Sequence, residues 1–246
     1  MSALSEREPA RRPLRRVGHK GADLIAPGNT RESFDAALAA GVDMIEFDVL
    51  PEHVSGKGRL LLAHDYKEVA RRAPATLEEA LDHLCGEAFA GVELDVDLKL
   101  PGYEVRVVKA LRERGLIERT LLSSQYPESL VRVRRVEPAL RLGWSVPRAR
   151  RDYTNSPLYI SLPMLALIEL LKRALPAKAA GAIRGGRCEA IMAHWRLVTP
   201  HLVRAVDQAG GEVYVWTVDE APRIRTFEEM GVTGVITNDP RLFAPV

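Results

Sequence analysis

Short apolar, β-rich runs alternate with helical patterns from one end of the chain to the other. The strand-like runs are Arg15–His19, Met44–Leu50, Gly91–Leu98, Thr120–Ser124, Leu140–Val146, Glu189–Trp195, Glu212–Val218 and Gly234–Asn238. Several are almost continuously apolar, as in EVYVWTV. Parallel strands buried on both faces require that pattern, whereas half-exposed antiparallel strands alternate. Eight strand-then-helix units in 246 residues predict an α/β fold, a (β/α)8 TIM barrel.

The helices carry their own punctuation. Asn29 precedes the amphipathic run Phe34, Ala37, Leu38, with Glu32 spaced for a capping box and Gly41 as the stop. Thr76 and Glu79 form the same box before Leu77, Leu81 and Leu84. Thr199 and Pro200 open a helix that Gly210 closes. Two segments break the rhythm. Arg59–His64 is a further strand-like run, reached through the Gly56-Lys57-Gly58 turn, and predicts a hairpin strand returning beside the second barrel strand. Pro147–Arg187 holds an apolar stretch at Leu158–Leu175, with Lys178, Arg184 and Arg187 beyond it. It reads as a helix packed on the barrel, or alternatively as a contact surface for a membrane through 158–175. No large inserted subdomain separates the motifs.

Composition narrows the picture. With 46% hydrophobic residues the chain has enough apolar surface for a core. Lys and Arg total 35 against 33 acidic residues, so no basic excess points to nucleic acid. Cys85 and Cys188 match neither a disulfide framework nor a zinc spacing, which favours a reducing, cytoplasmic setting. The Arg-rich start reads as a flexible basic tail over 1–14, leaving 15–246 as one barrel domain. No obligate protein partner is evident.

In a parallel barrel the reactive groups gather at the C-terminal strand ends. Glu46 and Asp48, two apart in IEFDV, point to the same side of one strand. Two carboxylates held together repel unless a proton or cation separates them, and oxygen ligands suit Mg²⁺ or Ca²⁺. Asp97, in LDVDLK, adds a third carboxylate from the next strand, with Asp95 and Lys99 in phase. His19 and His64 end the first strand and the hairpin, where imidazoles can serve as base and acid near neutral pH. His53, His83, His194 and His201 read as ordinary polar residues.

The ordered motifs HKGADLIAPGNTRESFDAALAAGVDMIEFDV, LLLAHD, DLK, LLSSQYPESL, VYVWTVD and GVTGVITNDP resemble those of the glycerophosphodiester phosphodiesterases, from His19 to Pro240. The resemblance implies a metal-dependent enzyme that hydrolyses a small-molecule phosphodiester to an alcohol and glycerol 3-phosphate. It implies His19 and His64 as catalytic residues and Glu46, Asp48 and Asp97 as ligands of one divalent cation. It further implies Lys20 and Lys99 as phosphate contacts and Trp216 as part of the substrate mouth. The chain departs from the family pattern in five ways, one being Gln125 in place of the usual aromatic after Ser123-Ser124. Gly28 stands where relatives carry Glu, Lys20 where they carry Arg, and Asp97 where they carry Glu, and the insertion that shapes the glycerol pocket is missing. Two other functions fit the same motifs: a lysophospholipase D-like enzyme acting on lipid diesters, and a barrel that binds phosphodiesters without cleaving them.

Overall fold

The computed structural model describes residues 13–148 and 162–243. Most of the expected basic tail, and residues 158–161 of the apolar stretch, lie outside these. Nine strands form one sheet in the order β1-β9-β8-β7-β6-β5-β4-β2-β3, and β1 also pairs with β2, so the sheet closes. The barrel strands are β1 (Arg15–Gly18), β2 (Met44–Pro51), β4 (Glu93–Leu98), β5 (Thr120–Ser124), β6 (Arg141–Val146), β7 (Ala190–His194), β8 (Glu212–Trp216) and β9 (Gly234–Thr237). All of them pair in parallel. β3 (Leu60–Leu61) pairs antiparallel with β2 outside the barrel, which makes it the expected hairpin strand. The TIM-barrel expectation therefore holds, extra strand included.

The two-residue period of each strand sorts its side chains between two cores. On β2, Ile45, Phe47 and Val49 face outward into the large cluster shared with the helices, while Met44 joins Val17, Leu121, Met192, Tyr214 and Ile236 in the inner cluster. Below that inner layer an ionic layer closes the N-terminal end. Arg15 and Arg141 share Glu93, and Arg141 also reaches Glu212 at 2.7 Å. The same inward phase carries Glu46 and Asp48 to the opposite end.

The helices α1 (Arg31–Ala39), α2 (Tyr66–Arg71), α3 (Leu77–Leu84), α4 (Glu104–Glu113), α5 (Pro127–Val136), α6 (Leu162–Arg184), α7 (Pro200–Asp207) and α8 (Ala221–Met230) follow the strands. Thr76 and Glu79 cap α3 reciprocally and Thr199 caps α7, as their spacing predicts. At α1 the cap is one residue later than expected. Thr30, not Asn29, accepts from the Ser33 N–H, and Ser33 rather than Glu32 completes the box. Asn29 is drawn away because its side chain is used inside the site described next. Among the described residues no helix is long and apolar enough to cross a membrane. Cys85 and Cys188 are both free thiols.

Candidate active site

Pairing between β2 and β4 sets Asp48 opposite Asp97 and Glu46 opposite Asp95. Glu46, Asp48 and Asp97 are all buried, and each offers an oxygen within 4.8 Å of the others. Asp95, in phase with Asp97 along the strand, is left out of that group. It sits one layer deeper, hydrogen-bonded to Ser123, where burial pushes its carboxyl up to about 8.

The Lys99 ammonium lies 2.5 Å from both Asp48 and Asp97 and so offsets part of their repulsion. Its own burial favours the neutral amine, but the two carboxylates hold it charged, well above the usual lysine range. Asp48 is likewise pushed up by burial and pulled well below the usual range by Lys99. Glu46 moves the other way: burial and then the neighbouring Asp48 raise it.

One lysine does not complete this site. Asp97 Oδ1 is buried with no hydrogen-bond donor, and Asp48 Oδ1 makes no well-directed hydrogen bond although Lys99 is near. Orphaned carboxylate oxygens converging with a third acid fit a hard divalent cation. Asn29 holds Asp48 for that role. Its amide donates to Asp48 Oδ2 at 3.0 Å, and its carbonyl oxygen accepts from the Asp48 N–H at 3.0 Å. Asn29 achieves this at φ 59°, a left-handed conformation that Asn tolerates better than most residues. The Lys20 N–H donates to Glu46 Oε2 at 2.8 Å and fixes the third carboxylate.

His19 Nε2 lies 3.8 Å from Glu46 Oε2, and its Nδ1 lies 2.5 Å from Asn238 Oδ1. The Asn238 amide orientation is dictated by Asp219, which accepts from its backbone N–H at 2.8 Å and its side-chain NH₂ at 2.7 Å. The amide oxygen is thereby turned toward His19, so Nδ1 must carry the hydrogen and Nε2 is left bare. Burial, and then the Lys20 charge, lower the His19 imidazole to about 4.

His64 is exposed, and the field of the nearby Lys99 lowers its imidazole too. Its backbone N–H donates to Glu68 at 2.7 Å, while Asp65 caps α2 just beyond. Lys20 lies 3.7 Å from Asp23. Trp216 sits half-buried at the C-terminal end of β8, donating its indole N–H to Met192 O at 2.8 Å and meeting the His194 ring edge-on. His194 is itself buried against Trp195 as well. Asn29, Asp219 and Asn238 were not among the site residues read from sequence. Asn238 stood at a strand end, but nothing local marks an amide as a histidine partner.

Fold and site together define a barrel hydrolase of the phosphodiesterase type, with an acidic cluster at the C-terminal strand ends whose oxygens could hold a cation. The chain belongs to the glycerophosphoryl diester phosphodiesterase family, whose model matches residues 19–75 and 75–242. It is an enzyme, a phosphoric diester hydrolase. A curated glycerophosphodiester phosphodiesterase from Caldanaerobacter subterraneus subsp. tengcongensis is 27% identical over 91% of this chain and 93% of its own. Among solved structures, a glycerophosphodiester phosphodiesterase from Agrobacterium tumefaciens superposes with a TM-score of 0.68 at 21% identity, covering 95% of this chain and 100% of that one. An Oleispira antarctica phosphodiesterase in complex with sn-glycerol-3-phosphate gives 0.66 at 20% identity, covering 93% and 94%.

Proposed function

We propose that this protein is a metal-dependent phosphodiesterase that hydrolyses glycerophosphodiesters to an alcohol and glycerol 3-phosphate. The observation that carries the reading is the convergence of Glu46, Asp48 and Asp97 beside His19, with the buried Asp97 Oδ1 left without a donor. Mg²⁺ and Ca²⁺ are the ions that an all-oxygen set of this kind suits. A divalent cation held there would supply Lewis-acid polarisation of the phosphoryl oxygens.

The remaining chemistry falls to the chain's own groups. Lys99, kept cationic by its carboxylates, and Lys20 offset negative charge on the phosphoryl oxygens. His19 presents a bare Nε2, which suits it to take the proton of the attacking oxygen. That oxygen belongs to water or to a neighbouring hydroxyl of the substrate. His64 then protonates the oxygen of the departing alcohol, because an unactivated alkoxide leaves poorly. A bound phosphodiester places a negative charge near His64 and favours its protonated form, countering the field of Lys99. Trp216 contributes to the rim on which the substrate rests.

In this reading residues 15–246 act as one barrel domain with 1–14 as a basic tail, in the cytoplasm, where Cys85 and Cys188 remain reduced. A lipid substrate is the second reading. Leu24 and Ile25 on the loop after β1, and Leu167 and Leu170 on α6, are exposed, as a membrane-contacting face would require. The test is a panel assay with Mg²⁺, Ca²⁺ or Mn²⁺ added. Hydrolysis of glycerophosphocholine in preference to lysophosphatidylcholine vesicles is the expected result; the reverse preference favours the lipid reading, and binding without hydrolysis defeats both.

A further inference from the structure

The cavity beside His64 and Lys20 carries further charged groups that the reaction above does not use. It holds about 420 Å³ between the loop after β1 and α2. Four cations, Lys20, Lys67, Arg71 and Arg72, line it against three carboxylates. Each carboxylate is already engaged. Asp23 accepts from the Gly28 N–H at 2.7 Å and faces Lys20. Asp65 accepts from the Lys67 and Glu68 N–H groups, both at 2.9 Å, at the start of α2. Glu68 accepts from the His64 N–H and pairs with Arg72.

The cations are less fully used. Lys67 and Arg71 are exposed and form no ion pair among the described residues. Arg72 donates one guanidinium hydrogen to Gly28 O at 2.7 Å, yet its Nε is buried with no acceptor. With every carboxylate of the wall engaged, Lys67 and Arg71 leave the cleft with positive charge that no described residue balances.

The position of the cleft says which part of a substrate enters it. His64 forms part of its wall, and under the proposed mechanism His64 faces the departing alcohol. We infer that this cavity receives the alcohol released by the enzyme and selects alcohols bearing an oxyanion of their own, a carboxylate or a phosphate. The inference rests on the phosphodiesterase reading for the placement of the alcohol. It names a substrate class that reading leaves open: glycerophosphodiesters with an anionic headgroup. Guanidinium groups suit both oxyanions, because their fork matches two oxygens at once.

Matched substrates isolate the effect. Glycerophosphoserine differs from glycerophosphoethanolamine by one carboxylate, and glycerophosphoinositol 4-phosphate differs from glycerophosphoinositol by one phosphate. For the metal-loaded enzyme, kcat/KM should favour the more anionic member of at least one pair by about ten-fold, as two exposed ionic contacts allow. In the double variant Lys67→Ala, Arg71→Ala that ratio should fall toward one. Preference within the serine pair alone assigns a carboxylate site, and within the inositol pair alone a phosphate site. Equal rates within both pairs, or a ratio unchanged in the variant, overturn the inference. Direct titration of the four diesters by calorimetry keeps it separate from the phosphodiesterase reading. Absence of turnover on all four would sink that reading, while the order of their Kd values would still decide the cavity.

Discussion

His19 and Asn238, 219 positions apart in sequence, meet at 2.5 Å between Nδ1 and Oδ1, and the contact sets which imidazole nitrogen is bare. Asp219 determines the direction of this contact by holding the Asn238 amide from the far side. Asn238→Ala should lower kcat by about 10–100-fold, the usual cost of losing a group that orients a reacting imidazole. KM and metal affinity should stay near wild type, because no ligand is removed. Nitrogen chemical shifts of His19 should change from one fixed tautomer to a mixture. A fixed Nδ1–H tautomer persisting in the variant would contradict the assignment.

The acidic cluster makes a separate claim. Glu46→Gln and Asp48→Asn should each abolish turnover and weaken divalent-ion binding measured by calorimetry. Wild-type protein should gain thermal stability when Mg²⁺ or Ca²⁺ is added, since an ion that binds the folded state shifts the equilibrium by mass action. EDTA should silence the enzyme and added ion should restore it. Turnover retained in both variants would remove the cation from the mechanism.

For the imidazoles themselves, His19→Ala and His64→Ala should each reduce kcat by about 10²–10⁴-fold with little change in melting temperature. His64 is exposed, so its removal leaves no core cavity. A loss of folding comparable to the loss of rate would point to a structural role.

Gly28 has a direct steric test. A Cβ at this position would sit 2.5 Å from Asp23 Oδ1 and 2.9 Å from Lys20 Cβ. The Asp23 carboxylate, five residues earlier, thus occupies the space that a side chain at position 28 would enter. Gly28→Glu alone should destabilise the fold by about 1–3 kcal/mol, the usual cost of overpacking. The double variant Asp23→Gly, Gly28→Glu should recover much of that loss, because the acid then returns to the other strand of the loop. Additive melting-temperature losses would rule the exchange out.

Asp95 gives a pH signature of stability. Burial pushes its carboxyl up to about 8 in the fold, from an ordinary aspartate value of 3.8. Between those values the folded state holds a proton that the unfolded chain has released, so stability from this group falls as pH rises. Asp95→Asn removes that titration. The melting temperature of the variant relative to wild type should therefore rise from about pH 5 to about pH 8, as linkage requires. A constant difference would mean that Asp95 ionises normally.

The barrel was legible in the chain because its determinants are local. Several strands announce themselves by nearly continuous apolar runs, and Thr76 with Glu79 or Thr199 with Pro200 marks a helix start within four residues. The ExD spacing of Glu46 and Asp48 was legible for the same reason, since a strand's two-residue period alone puts both on one side. Asn29 was misread as a cap because the same residue type serves a helix N-terminus and a buried carboxylate equally well, and only the distance to Asp48 separates the two uses.

Sequence by itself therefore determined the eight barrel strands with helices between them, the hairpin strand and the inward phase of the acidic residues, all of which follow from the period of the backbone. Tertiary structure alone decided what happens between units. It placed Asp48 opposite Asp97 while burying Asp95 a layer below. It turned Asn238 toward His19, put Asp23 where position 28 lacks a side chain, and brought Lys67, Arg71 and Arg72 to one cleft beside His64. These contacts join loops from different strands, and their geometry exists only once closure of the sheet has fixed every strand end relative to its neighbours.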